Sequence, residues 1–392
     1  MTETEGASFR SVLPWVVFTS AMFLMTYQAR AIFGPLLPYI EAEFDLTHAE
    51  STRYQLYISL GYSASMFATV YTCTLFKYRI LVGGTALATG AVLGLIAWLP
   101  GSLTLAVLCC LLGVATGQYF NAGMCTLRGL VQLKDWSKTV AIHECAPNLS
   151  FLICPIVAVS GASLFGWRGV MAIMGVLIAA SGVVYLCLAR GGEKTSPPFF
   201  FKGVKRMLRN PMLWVFAWFM SLMVGGMFAP YSILMLHLTE DAGFSGPTAS
   251  MLLSTSRISA AFAALVGGLL VVRLGTAKAL ASCFILHSLA LFGLAFQAEI
   301  IKIVSLFMQP MMAAMTAPAI FTFVAERFPA RKQAMVLAIG MPLASFMGTG
   351  GYPWMLGFCG TYASFELGFI LMGLFTASCL LVLRCAYRIR RR

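Results

Sequence analysis

The chain has 392 residues, of which 59% are hydrophobic and only 10% charged, and its formal net charge is +13. Soluble domains carry about 25% charged residues, so this composition excludes a cytosolic enzyme, a disordered scaffold and a secreted disulfide protein. The apolar content must face lipid instead. The 11 cysteines are scattered through apolar stretches without a CxxC spacing, as small lipid-buried hydrophobes are.

A membrane-spanning helix needs roughly 20 apolar residues. Apolar runs bounded by breakers and charge clusters predict twelve of them, at 14–40, 52–75, 80–99, 103–130, 138–164, 168–189, 212–238, 247–271, 278–296, 300–325, 333–357 and 362–386. The segment before the first run, Met1 to Gly6, carries Glu3 and Glu5 and no basic residue. That first run therefore reads as a span and not as a cleaved signal. The longest hydrophilic stretch runs from Arg190 to Pro211, with Lys194, Lys202, Lys205, Arg206 and Arg209. It divides the chain into an N-terminal six-helix bundle (1–190), a basic linker (191–211) and a C-terminal six-helix bundle (212–392).

Charge placement predicts orientation, because cytoplasmic loops concentrate Lys and Arg. With both termini in the cytoplasm, 21 of the 27 basic residues fall on that side, the tail of Arg384, Arg388, Arg390, Arg391 and Arg392 included. The opposite face receives Arg53, Arg168 and Lys302. The expected location is the inner, cytoplasmic membrane. A net positive charge also suits nucleic acid, but the clustering between apolar runs argues against such a partner.

The two halves echo one another. Pro147 to Phe151 and Pro342 to Phe346 share a Pro–x–x–Ser–Phe pattern at an offset of 195 residues, and the turn ending at Arg79 matches the one ending at Arg273 at an offset of 194. Parallel repeats of this kind mark transporters, with the substrate site near mid-membrane.

Twelve helices, a basic central linker and repeated halves resemble the major facilitator superfamily over essentially the whole chain. The resemblance includes that family's Gly-x-x-x-Asp-Arg-x-Gly-Arg-like turn. The second copy survives as Gly268-Leu-Leu-Val-Val-Arg273-Leu-Gly275, and the first keeps only Arg79. The expected Asp is absent from both, where Tyr78 and Val272 precede the arginines. Ala325-Glu326-Arg327-Phe328-Pro329 is similar to the acidic-basic gate clusters of family members. The resemblance thus implies an all-α membrane protein in two pseudo-symmetric halves, with Arg79, Arg273 and Glu326 as gate residues; Arg128, near the cytoplasmic end of the fourth span, reads as a gate or interface residue.

A charge inside a span costs around 2.5–3.5 kcal/mol on insertion scales. Arg30 lies deep in the first span, three residues after Tyr27 and on the same helix face. This pair is similar to the first helix of organic-anion members, where such an Arg faces the cavity. The alternative is a structural Arg that snorkels to the periplasmic interface or pairs with a helix end. Arg257 lies roughly 15 Å into the eighth span and resembles the carboxylate-binding Arg of monocarboxylate-type members; the alternative is a buried ion pair. A guanidinium presents a planar fork suited to carboxylate oxygens. One such fork in each half implies an anion clamped by both.

His143 and Glu144 begin the fifth span. Either can carry a proton coupled to transport, or both can belong to a gate ion pair. Glu144 is the stronger candidate, since a carboxylate costs more to keep in a membrane. Gln118 and Asn121 in the fourth span line the cavity or bond between helices. The Gly348-Thr-Gly-Gly351 run permits close packing or bending and lacks the context of a phosphate loop.

The expectation is a proton-coupled secondary transporter, a symporter of a small organic anion, working as a monomer without cofactor or metal and not as an enzyme. Two readings stand beside it: proton-driven export of a hydrophobic or cationic compound, and a non-transporting receptor or assembly subunit.

Overall fold

The protein is described from a computed structural model covering residues 8–197, 203–241, 243–296 and 298–389. Lys202, Arg390, Arg391 and Arg392, and the Met1–Gly6 segment, lie outside the described residues. The regular structure of the described residues is helical, with no strand among them. In hydrocarbon no water can satisfy a backbone N–H or C=O, so the chain must close these bonds within each segment.

The helices in chain order are α1 (Phe9–Ala31), α2 (Phe33–Phe44), α3 (His48–Ser51), α4 (Arg53–Leu75), α5 (Tyr78–Trp98), α6 (Ser102–Gly117), α7 (Tyr119–Leu130) and α8 (Trp136–Leu188). There follow α9 (Val204–Leu208), α10 (Pro211–Leu236), α11 (Gly246–Leu274), α12 (Thr276–Leu294), α13 (Glu299–Arg327), α14 (Ala330–Phe346), α15 (Tyr352–Tyr362) and α16 (Phe365–Ile389). Among the described residues, nine helical stretches are long and apolar enough to cross a membrane. One of these, Lys138–Leu188, holds two predicted spans in a row. They part at Gly166, whose φ of 69° and ψ of 163° lie outside the helical region and favour a residue without Cβ.

Several predicted spans are interrupted. The first passes through a turn at Ile32 between α1 and α2. Pro35 has no N–H to return to the Ala31 carbonyl, so the helix breaks there. Two π-helical turns, His237–Asp241 and Met347–Gly351, extend α10 and link α14 to α15.

Contacts gather the chain into two compact units. Unit 1 is Met1–Leu36 with Leu60–Phe200, and unit 2 is Leu37–Ser59 with Phe201–Arg392. The divisions fall inside α2 and α4, so a segment from the first half of the sequence groups with the second.

Within unit 1, α5 packs along α8 through small residues. A Cβ on Gly90 would run into the Gly175 carbonyl oxygen and stand 2.7 Å from Ala179 Cβ. Such backbone approach is how membrane helices gain packing when lipid is as apolar as the side chains. Within unit 2, Gly267 meets α13 in the same way, its Cβ position pressed against the Met315 carbonyl oxygen.

These contacts separate two neighbouring glycines of α5. Gly84 has open space around its Cβ position. Gly90→Ala overpacks a backbone contact, at a cost of about 1–3 kcal/mol, and lowers the thermal unfolding midpoint in detergent. Gly84→Ala is neutral or raises that midpoint, since Ala gains about 0.5–1 kcal/mol over Gly in a helix. Equal midpoints for the two variants would contradict the α5–α8 contact.

Candidate functional site

In unit 1, Arg30 stands in the last turn of α1 and is 4% exposed. Its guanidinium carbon lies 3.7 Å from the centre of the Tyr62 ring and 5.0 Å from that of Tyr27. No carboxylate comes within ion-pairing distance of it among the described residues, and its Nε is buried without a hydrogen-bond partner. The arginine is therefore stabilised by aromatic faces, a cation–π arrangement that strengthens when water is excluded. Tyr27 in turn meets Phe23 and Phe151 edge to face, at 5.7 and 5.5 Å. Tyr62, from α4, was not among the residues expected here; its distance in sequence conceals it.

Beside this group lies His143, fully buried in the first turns of α8. Its ring stacks on Phe23 at 4.4 Å and lies parallel to Tyr119 at 6.0 Å. His143 Nδ1 lies 3.1 Å from Glu144 Oε1, and its Nε2 is buried without a partner. The exposures run opposite to the expected ranking. Adjacent helical residues point about 100° apart, and α8 turns His143 inward while the Glu144 side chain stays 50% exposed.

Gln118 is engaged across to α4. It donates from Nε2 to the Ser65 carbonyl (3.1 Å) and hydroxyl (2.8 Å), and it accepts from the Thr72 hydroxyl. Such amide bonds hold helices together in lipid. Asn121 is half-buried one turn further on.

At the end of unit 1 that carries the α4–α5 turn, Arg79 donates to Glu193 at 3.0 Å and to the Leu186 carbonyl. The carboxylate missing from the turn is thus supplied by the start of the linker. Backbone bonds fix that strip, from Tyr78 N to the Lys194 carbonyl, Arg79 N to that of Gly192 and Ser196 N to that of Cys73. Arg128 lies 5.6 Å from the centre of the Trp136 ring and donates to the Val131 carbonyl.

In unit 2, Arg257 is 1% exposed in the middle of α11. Its Nη1 donates to the Met227 carbonyl at 3.1 Å, and its guanidinium carbon lies 5.1 Å from the centre of the Tyr231 ring. The adjacent carbonyl of α10, Gly226, faces Pro230 four residues on, which has no N–H to offer. Gln309 of α13 fills the vacancy, donating from Nε2 to the Gly226 oxygen. The same nitrogen lies 3.1 Å from His287 Nε2. Since an amide nitrogen only donates, His287 accepts there and carries its proton on Nδ1. Gln309 and His287 are site neighbours that the sequence did not single out, although a proline inside a span signals an orphaned carbonyl.

Of the remaining expected gate residues, Arg273 is exposed in the last turn of α11. Glu326 accepts from the Thr276 hydroxyl at 2.6 Å and the Tyr387 hydroxyl at 3.3 Å. Two further groups unite residues far apart in sequence, Glu41–His48–Glu240 and His237–Asp241–Glu366, each with one polar atom per residue within 4.8 Å of the others. His48 meets its two carboxylates with different ring nitrogens, which is the geometry of a bridging imidazole and not of ligands converging on one ion. His237 Nδ1 sits 2.8 Å from Asp241, a hydrogen-bonded pair.

Comparison with known proteins agrees with this architecture. Among solved structures, a bacterial homolog to the human lysosomal transporter Spinster, in an inward-facing and unoccupied conformation, superposes with a TM-score of 0.80 at 12% identity, over 97% of this chain and 98% of that one. The nucleoside transporter NupG, in the form of a point mutant, gives 0.77 at 12% identity over 95% and 99%. No curated protein matches by sequence. The family model of the Major Facilitator Superfamily matches residues 19–296 and 218–392, and with it the all-α membrane fold is that of the family. The chain belongs to the Major Facilitator Superfamily of membrane transporters.

Proposed function

We propose that this transporter is a secondary carrier of a small organic anion, driven by protons and working by alternating access of its two halves, 1–190 and 212–392. The observation that carries the reading is Arg30, a buried guanidinium resting on tyrosine faces with no carboxylate among the described residues to neutralise it. Such a charge is costly in a membrane and marks a substrate path. A carboxylate-bearing substrate completes it with two parallel hydrogen bonds. Arg257, held by the Met227 carbonyl, contributes the second guanidinium in unit 2. Tyr27 orients Arg30, while Gln118 and Asn121 shape the surroundings.

The His143–Glu144 pair takes the proton, with His143 as the buried member. Arg79, Arg128, Arg273 and Glu326 then serve as gate residues on the cytoplasmic side, where the basic loops and both termini lie. The membrane is the cytoplasmic one, and a single chain suffices for transport.

Two measurements on purified protein in proteoliposomes test this reading. With labelled carboxylates and an imposed pH gradient, Arg30→Ala and Arg257→Ala each raise KM by about ten- to hundredfold, the worth of a charge-assisted bond of about 1.5–3 kcal/mol. Arg30→Lys recovers only part of this loss, because an ammonium lacks the planar fork and the stacking. Unchanged uptake of every anion in both alanine variants sinks the anion reading. In the second measurement, His143→Gln retains exchange of labelled for unlabelled substrate but loses accumulation driven by the gradient. Full gradient-driven accumulation in His143→Gln would assign the proton elsewhere.

A further inference from the structure

Residues 37–59 stand in the first half of the sequence yet pack within unit 2. Their seat is made mostly of bonds that do not titrate. Ala49 N donates to the Thr361 hydroxyl at 2.8 Å. The Ser59 hydroxyl lies 3.1 and 3.0 Å from the carbonyls of Ser345 and Phe346, which precede the π-helical turn, and the Thr349 hydroxyl donates to Ser59 at 3.0 Å. Gly357 of α15 presses on Thr52, with no room for a Cβ beside the Thr52 hydroxyl oxygen.

One contact in this seat does titrate. His48 Nδ1 lies 3.0 Å from Glu41, and its Nε2 lies 3.4 Å from Glu240 in the π-helical turn after α10. Glu41 is 8% exposed, and its second oxygen accepts from the Ser51 hydroxyl. A neutral imidazole has one N–H and one lone pair. Between two carboxylates, that lone pair would face an oxygen lone pair, so only the imidazolium satisfies both sides. Asp241 adds a third negative charge near the ring. Beyond Phe365, whose ring lies 5.1 Å from that of His48 and 5.6 Å from that of His237, the charged set is completed by His237, Glu366 and Lys302. On its own side, Glu50 is tied to Thr47 and accompanied by Arg53. From α15 the contacts are Gly357 and Thr361, neither of which titrates.

We propose that His48 is a proton-binding site that latches residues 37–59 onto the C-terminal helices, by linking Glu41 to Glu240 as an imidazolium. The proposal rests on the assignment of the chain as a transporter and is independent of the anion reading, which concerns Arg30, Arg257 and His143. Proton binding at His48 keeps the segment seated, and proton loss frees it to leave. The segment joins the first two spans, on the face opposite the termini, so the latch governs access from that face.

The titration has a definite direction. The hydrogen bond to Glu41 holds His48 above its ordinary value; burial opposes this, and the charges of Glu41, Glu240 and Asp241 reinforce it. Seating is therefore fully favoured below the ordinary histidine value of about 6.5 and is lost as the pH rises through the raised one. Burial holds the Glu240 carboxyl above its ordinary value, so the charge of that partner is lost as the pH falls through the raised value.

Hydrogen–deuterium exchange of the full chain in lipid nanodiscs reads the seat directly, without transport. From about pH 5.5 to about pH 8.5, after correction for intrinsic exchange, amides of residues 47–59 exchange about tenfold faster for each unit separating the seated from the free histidine value. His48→Gln abolishes this dependence and exchanges at the fast rate throughout. Glu240→Gln moves the midpoint to lower pH, because one stabilising charge is gone. Thr361→Ala speeds exchange at every pH and leaves the midpoint in place. A flat wild-type profile, a wild-type profile in His48→Gln or an unmoved midpoint in Glu240→Gln would overturn the latch. Because no substrate is present, loss of the anion reading leaves this test unaffected.

Discussion

The cost of an unsatisfied polar group in hydrocarbon governs this molecule. It enforces helices, since only a helix closes its own backbone bonds within a single lipid-exposed segment. It also means that each departure from regular helix must be matched by a side chain nearby. The vacant Gly226 carbonyl is met by Gln309, and the carbonyls of Ser345 and Phe346 beside a π-helical turn are met by Ser59. Hydroxyls and amides here repair the consequences of prolines and helix defects.

The same cost explains how the two deep arginines are kept. In unit 1 an arginine from α1 rests on a tyrosine from α4, and in unit 2 an arginine from α11 rests on a tyrosine from α10. Tyr62 and Arg257 are about 195 residues apart, the offset of the internal repeat. The two halves therefore keep the arginine–tyrosine pairing but exchange which helix carries which partner. An aromatic face stabilises a cation without cancelling its charge, as Tyr62 does for Arg30. A carboxylate would have neutralised it.

Much of the fold was legible in the sequence, because hydrophobic run length and basic clusters act locally. The predicted break between 164 and 168 is Gly166, and the glycine run at 348–351 falls in a π-helical turn that admits Ser59 closely. What the sequence hid were partners. Tyr62, Tyr231, Gln309 and Glu193 reach their sites through tertiary packing, and no spacing rule connects them to the arginines and carbonyls they serve. The ranking of Glu144 above His143 followed from desolvation cost alone. The rotation of α8 decides which of two adjacent residues is buried, and that rotation is set by the aromatic stack of Phe23 and Tyr119. Glu41, His48 and Glu240 lie among other polar residues between spans, and nothing local in the sequence joins 41–48 to 240.

The proline inside α10 has a consequence beyond its own helix. Pro230 creates the vacancy at the Gly226 carbonyl, and Gln309 fills it from another helix. A chain with an ordinary residue in place of Pro230 would supply its own N–H to that carbonyl and leave the amide of Gln309 competing for it. Loss of Gln309 alone would strand the carbonyl. The two positions are thus coupled through a shared carbonyl, without a bond between their own side chains.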